Sequence, residues 1–237
     1  MNIPLKDILT IIIPSKNESV NIYECIGFIS KQRGIQGTRV IIADVSDEEK
    51  SLQWLYQTQT DFKYSLQIEV IEGGFPSQGR LNGSKLVKTP YMLFLDSDVM
   101  IMNPSVIPTI MEYEKDLTTV TFITDTGWNW VYYMFNKFQW MSKLLGTPFA
   151  VGGFQLWRTE AYWKVGGYND KEIFAEDYSL SQKVMSKNFM VYKTNHVYTS
   201  ARRFKNKGVL WMFKIMIKSY LNRNNPEFFT KSHGYWD

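Results

Sequence analysis

Two carboxylates one residue apart, Asp96 and Asp98 around Ser97, are the sharpest chemical feature of this sequence. On an extended strand end, residues i and i+2 point the same way. The two acids would then converge while Ser97 points oppositely. Like charges held close are costly unless something neutralises them. A hard divalent cation does so, and Mg²⁺ or Mn²⁺ prefers oxygen ligands together with substrate phosphate oxygens. A bare D-x-D also fits a solvated turn. The apolar run at residues 91–95 just before it favours the metal reading, because it sets the pair at the end of a central strand.

Glu176 and Asp177 precede a helical pattern. A carboxylate there can cap the helix for about 1 kcal/mol, or Asp177 can serve as a general base that takes a proton from an acceptor hydroxyl. The nearby pairs Gly152-Gly153 and Gly166-Gly167 suit a close-walled substrate pocket or plain turns. Arg80, 16 positions before Asp96, suits a diphosphate or a base, or is an ordinary surface arginine. Asp44 ends an apolar run and is either an acceptor for a nucleobase N–H or an Asx-turn residue helped by Ser46 and Asp47. Arg202 and Arg203 could clamp a diphosphate as negative charge builds on a leaving group. The two histidines, His196 and His233, are too far apart for a catalytic pair and read as structural.

The elements that must position these residues alternate. Residues 8–14, 39–44, 67–71 and 91–95 read as strands, separated by helical patterns at 20–32, 48–58 and 79–88. Asn17 or Ser19 is the expected cap of the first of these helices. This rhythm predicts an α/β fold with a doubly wound, mostly parallel sheet. Ligands in such sheets bind beyond the carboxyl ends of the strands, where Pro14-Ser15, Asp44 and Asp96-Ser97-Asp98 fall. The first strand-to-helix turn lacks a glycine-rich fingerprint, which argues against a dinucleotide-binding domain. Further on, strands are expected at 120–124, 189–192 and 197–200, with helices after Asp177 and over 209–221.

One sizeable core is within reach of 237 residues with 44% hydrophobic content. Residues 1–182 carry a net charge of −5 and residues 183–237 a net of +9, so a basic tail follows an acidic body. The pattern at 209–221 has a narrow lysine stripe, Lys207, Lys214 and Lys218, and a wide apolar face. It predicts a helix packed on the core or one lying in an anionic membrane surface. The aromatic-rich stretch 128–149 could share that role or wall an acceptor groove. The single cysteine, Cys25, forms no internal disulfide and has no zinc-ligand partners, which fits a reducing compartment. No run approaches the ~18 apolar residues of a membrane span. The expected location is cytoplasmic, with peripheral contact at the inner face of a membrane.

Taken together, these positions resemble glycosyltransferase family 2, the large GT-A group. The family's opening strand ending in Pro-x-x-Asn-Glu is matched by residues 11–18, including Pro14, Ser15, Asn17 and Glu18. Its base-contacting acid is matched by Asp44, its arginine ahead of the metal motif by Arg80, and its metal motif by Asp96 and Asp98. Its late segment is matched by Gly152-Gly153, Arg158, Gly166-Gly167-Tyr168 and Glu176-Asp177-Tyr178-Ser179-Leu180. The order and spacing hold to about residue 205.

The resemblance implies a GT-A, Rossmann-like domain over 1–205, with a nucleotide-binding half at 1–100 and an acceptor half at 101–205. A basic amphipathic extension follows at 206–237. It implies a hexosyltransferase-type enzyme, of the kind used in polysaccharide biosynthesis, that takes sugar from a nucleoside-diphosphate donor, with a UDP-sugar favoured. Pro14, Ser15, Glu18, Asp44, Arg80, Asp96, Arg202 and Arg203 would hold the donor, and Asp96 and Asp98 would hold Mn²⁺ or Mg²⁺. Gly152 and Gly153 would line the acceptor site, and Glu176-Asp177 would supply the base for inversion. The acceptor would be a carbohydrate or lipid-linked hydroxyl, not nucleic acid. The family's frequent late histidine ligand is absent here, where residues 197–204 instead end in Arg202-Arg203-Phe204. Competing readings are a sugar-phosphate nucleotidyltransferase, disfavoured by the loop Ser15-Lys16-Asn17-Glu18, and an inactive nucleotide- or membrane-binding module.

Overall fold

A computed structural model describes residues 4–125 and 127–234. Its strands are β1 (Leu9–Ser15), β2 (Thr38–Asp44), β3 (Leu66–Glu72), β4 (Tyr91–Leu95), β5 (Val99–Ile101), β6 (Leu117–Val120), β7 (Phe154–Arg158), β8 (Phe189–Tyr192) and β9 (Val197–Thr199). Helices α1 (Leu5–Ile8), α2 (Val20–Ile29), α3 (Glu49–Phe62), α4 (Pro76–Ser84), α5 (Val106–Met111) and α6 (Asn129–Leu144) belong mainly to the first half. Helices α7 (Thr159–Lys164), α8 (Glu176–Ser181), α9 (Arg202–Lys207), α10 (Val209–Leu221) and α11 (Pro226–Phe229) complete the chain.

Seven strands form one sheet in the order β3-β2-β1-β4-β7-β6-β8. All run parallel except β7, which pairs antiparallel with both β4 and β6. The strand order reverses between β1 and β4, so a switch-point crevice opens above their carboxyl ends. Both faces of the sheet are covered, so its central strands read as unbroken apolar runs. Ile11 and Ile13 of β1 enter one core layer with Val40, Ile42, Leu93 and Leu95. Ile12 enters the other with Ile41, Met92 and Phe94.

Helix α4 lies unusually near the sheet. A Cβ on Gly83 would stand 2.5 Å from Ile12 Cγ2, and one on Gly79 would stand 3.3 Å from Ala43 Cβ. Two glycines four apart clear one helix face, and that close approach brings Arg80 under the crevice.

Several expectations shift. The strand expected at 120–124 is β6, at 117–120. The backbone of Phe122 is claimed by the Asn136 side chain, whose amide donates to its carbonyl at 2.8 Å and accepts its N–H at 3.0 Å, so no neighbouring strand takes it. Asn17 does not cap α2. Its side-chain oxygen accepts the N–H groups of Asp47 and Glu48 at 3.1 and 3.3 Å, tying the loop after β1 to the start of α3. Strands β5 and β7 fall outside the predicted strands.

The basic tail is part of the fold. Phe229 is buried, and its carbonyl accepts the N–H groups of Ile173 and Phe174. The boundary expected after residue 205 falls inside α9, and residues 235–237 of the expected extension lie outside the described residues. Helix α10 packs on the core through Met212, Ile215 and Ser219, while Leu210, Lys214, Ile217, Lys218 and Leu221 face outward. Among the described residues, no helix is long and apolar enough to cross a membrane.

Candidate active site

A cleft of about 760 Å³ opens at the switch point. Pro14, Ser15 and Glu18 reach it from the loop after β1, Arg80 from α4, and Asp96, Ser97 and Asp98 from the link between β4 and β5. Gly152 and Gly153 reach it from the loop before β7, Glu176 and Asp177 from the start of α8, and Arg202 and Arg203 from α9. These residues lie up to 189 positions apart in sequence, yet they share one cavity. Of the expected site residues, Asp44 is the one outside the lining. Its carboxylate accepts both the N–H and the hydroxyl of Ser46 at 2.9 Å, the Asx-turn arrangement, although its neighbour Val45 does line the cleft.

The two aspartates do not sit on an extended strand. Val99 N–H donates to the Asp96 carbonyl at 3.1 Å, closing a tight turn, and Asp96 N–H donates to the Gly153 carbonyl at 3.3 Å. The turn, rather than strand alternation, brings both carboxyls to the cleft. Ser97 is buried within the turn and also lines the cavity, contrary to its expected opposite aim.

Burial first, then the charges of Asp96 and Glu18, push the Asp98 carboxyl up to about 7, against the pull of Arg202 and Arg203. This is a pit of negative potential lined with hard oxygens. Its residues fit a divalent cation, which would remove the repulsion. Among the described residues, no cluster of three metal-ligand side chains forms. The Asp96–Asp98 pair would therefore share such an ion with substrate oxygens. Arg202 covers the pit from α9, 3.2 Å from Glu18 and 4.0 Å from Asp98.

Arg80 is not a surface residue. It is 3% exposed, and one Nη donates to Glu176 Oε1 at 2.5 Å while the other donates to Asp96 Oδ1 at 2.7 Å. It stacks on Tyr168 with its guanidinium 5.4 Å from the ring centre. It is thus a positioning residue that locks the metal-motif aspartate to the acidic pair of α8. Gly152 makes this possible, since a Cβ there would stand 2.5 Å from Arg80 Nη2.

Asp177 is aimed by its neighbours. The Gly152 and Tyr178 N–H groups both donate to its carboxylate at 2.8 Å. Ala175, just before it, holds φ 45° and ψ 34°, a left-handed turn that L-residues rarely adopt and that sets the entry to α8. Burial and the charge of Glu176 push the Asp177 carboxyl up to about 7, while Gly152 N–H and Arg80 hold it back. A carboxylate with that affinity for protons, facing a cleft, is suited to general base work near neutral pH. His196 is exposed, His233 packs on Phe228 and Phe174 with its ring nitrogen 2.8 Å from the Phe228 carbonyl, and neither lines the cleft.

The profile of Glycosyl transferase family 2 matches residues 10–166. The chain belongs to this family. Its fold is the GT-A fold of that family.

Among solved structures, the family member superposes on Staphylococcus aureus TarS with a TM-score of 0.62 at 18% identity, covering 96% of this chain and 45% of TarS. The mannosyltransferase PcManGT of Pyrobaculum calidifontis, solved with GDP-Man and Mn²⁺, gives a TM-score of 0.62 at 14% identity, covering 89% of this chain and 64% of that one. Glucosyl-3-phosphoglycerate synthase from Mycobacterium tuberculosis gives 0.58 at 12% identity, covering 92% and 80%. The chain thus spans less than half the length of TarS. No curated protein sequence matches it.

Proposed function

We propose that this chain moves a sugar from a nucleoside-diphosphate donor to an acceptor hydroxyl with inversion at the anomeric carbon. The observation that carries the reading is one cleft in which Asp96-Asp98 and Glu176-Asp177 are tied together by Arg80. In this reading Asp177 takes the acceptor's proton as the acceptor oxygen attacks the anomeric carbon from the face opposite the leaving group. The bond from that carbon to the diphosphate breaks, and the nucleoside diphosphate departs with the electron pair. Mn²⁺ or Mg²⁺ held by Asp96 and Asp98 would supply Lewis-acid stabilisation of the departing phosphate. Arg202 and Arg203 add fixed positive charge beside it.

A UDP-sugar is the favoured donor. TarS has been solved with UDP and with UDP-GlcNAc, which supports that choice, while the GDP-Man complex of PcManGT keeps other bases in the screen. Pro14, Ser15 and Glu18 would contact the nucleotide, with Asp44 reaching a base once released from Ser46. Gly152 and Gly153 would edge the acceptor site of a carbohydrate or lipid-linked hydroxyl.

The test is sugar transfer or donor hydrolysis across UDP- and GDP-sugars with Mn²⁺ and with Mg²⁺, and NMR of the product's anomeric configuration. Retained configuration would remove Asp177 from the base role. Turnover unaltered in Asp96→Ala and Asp98→Ala would remove the metal role. Peripheral contact with an anionic membrane is part of the same proposal, supported by the outward Lys214 and Lys218 of α10 beside Leu210, Ile217 and Leu221. Lys214→Glu with Lys218→Glu should abolish sedimentation with vesicles containing phosphatidylglycerol, and unchanged sedimentation would refute that contact.

A further inference from the structure

The cleft does not end at the carboxylates. Beyond Asp177 it continues between α6 and α10, lined by Phe122, Tyr132, Phe135, Phe149, Phe204 and Met212. The rings meet edge to face: Phe135 with Phe149 at 5.6 Å, Phe149 with Tyr178 at 5.7 Å and Tyr132 with Phe204 at 5.3 Å. This inner chamber has little to offer a sugar. The Tyr132 hydroxyl donates to the Ser200 carbonyl at 3.2 Å and the Ser219 hydroxyl to the Ile215 carbonyl at 2.9 Å. The Tyr178 hydroxyl is sealed from solvent and so does not face the open cavity. Each sugar hydroxyl buried there without a partner would cost roughly 1–3 kcal/mol. A hydrocarbon chain has no such groups and gains by burial at about 25 cal/mol per Å².

The outer side of α6 points to the same chemistry. Trp130, Tyr133, Met134, Met141, Leu144 and Leu145 are each half exposed or more. The helix carries Lys137 and Lys143 and no acid. A surface helix that is apolar on both its core and solvent sides does not suit water, and aromatics with lysines suit a lipid headgroup boundary.

We propose that the inner chamber seats a hydrocarbon chain attached to the acceptor, so that the acceptor hydroxyl stands at the chamber mouth beside Asp177. The inference rests on the reading of Asp177 as the acceptor's base, and it names the acceptor as a lipid conjugate rather than a free saccharide. The chain enters across α6, whose outer face is already apolar.

The experiment uses the full chain with UDP and Mn²⁺ and the fluorescent probe 11-(dansylamino)undecanoic acid at submicellar concentration. The probe should brighten on binding and be displaced by alkanols, with affinity rising about fourfold per added methylene. Methyl glucoside and maltotriose should not displace it. Farnesol stronger than dodecanol would mark an isoprenoid chain, and the reverse an acyl chain. Met216→Trp, which fills the chamber from α10, should weaken the probe at least tenfold with UDP affinity changed less than twofold. If that variant loses its cooperative melt, Met216→Asp and the wild-type chain-length series give the same readout. Absence of probe binding, displacement by maltotriose instead of alkanols, or no dependence on chain length would overturn the inference. UDP titration of the same samples reports separately on the donor site, and product NMR with Asp177→Asn reports on the base.

Discussion

Gly152→Ala is the most informative single change, because it adds one methyl group at the point where the two halves of the site meet. Gly152 does not adopt a positive φ, so alanine fits its backbone and the contact is isolated from strain. The new Cβ would stand 2.5 Å from Arg80 Nη2, 3.1 Å from Cζ and 3.3 Å from Nη1. An ordinary contact begins near 3.4 Å, so the guanidinium must retreat by about 0.9 Å. It cannot do so freely. It is buried and held at 2.7 Å by Asp96 and 2.5 Å by Glu176, and a 0.9 Å shift along the first bond would stretch it past hydrogen-bonding range. Overpacking costs ~1–3 kcal/mol, and full loss of a buried ion pair's partner costs ~3–5 kcal/mol. With the pair stretched rather than lost, about 2 kcal/mol is expected. For a chain of this size that lowers Tm by roughly 4–8 °C.

The functional cost should exceed the stability cost, because Arg80 sets both Asp96 and Glu176. Turnover of the best donor, at a temperature where the variant is folded, should fall more than UDP affinity does. A double-mutant cycle adds the decisive control. Arg80→Lys already gives up the bidentate bridge, so adding Gly152→Ala to it should cost much less than Gly152→Ala does in the wild type. Urea denaturation of the four proteins measures this. If Gly152→Ala is as stable as the wild type and turns over as fast, or if the two changes add, then Arg80 is not the pinned link described.

Asp177→Asn should keep the fold and UDP binding while lowering kcat by about 10²–10⁴-fold, as expected for loss of a general base. In the wild type, kcat/KM should rise with pH through about 7, because Asp177 must be deprotonated to act. The same raised affinity acts oppositely on stability. The native state holds a proton that the unfolded chain, with its ordinary aspartate, releases above about 4, so this group's contribution falls as pH climbs from about 4 to about 7. Urea midpoints of Asp177→Asn should be flatter over that window. Asp98→Asn should abolish the gain in UDP affinity on adding Mn²⁺ in isothermal titration, while metal-free UDP binding stays the same or improves, since a repelling charge is removed. Asn17→Ala should cost about 2 kcal/mol in urea unfolding, because it removes the acceptor for two N–H groups at a position of φ 53°.

Much of this was legible in the sequence wherever one residue type reports one environment. The runs at β1, β2 and β4 are apolar without interruption because both sheet faces are buried, so a mostly parallel sheet with its ligand site beyond the strands' carboxyl ends followed from pattern. The site residues were legible as types, but their partners were not. Nothing near Arg80 in sequence shows that its guanidinium faces Asp96 and Glu176, a contact made across 16 and 96 positions.

Of the two strands that the pattern does not predict, β5 and β7, the second lies in the central sheet, and its second residue explains why it was hidden. Gln155 is fully buried, donating to the Ala150 carbonyl at 2.6 Å and accepting from Trp157 Nε1 and the Tyr168 hydroxyl at 2.9 Å. A buried glutamine breaks the apolar run that marks a central strand, yet its cost vanishes once each polar atom is paired. The network does more than satisfy itself. Tyr168 also stacks on Arg80, so the strand that the pattern concealed is the one that fixes the back of the guanidinium whose front holds Asp96 and Glu176. Where local pattern fails here, long-range polar pairing has replaced apolar burial. That replacement lies behind Asp96 and Glu176, because a buried cation can be held there only by groups that the chain brings from several distant elements.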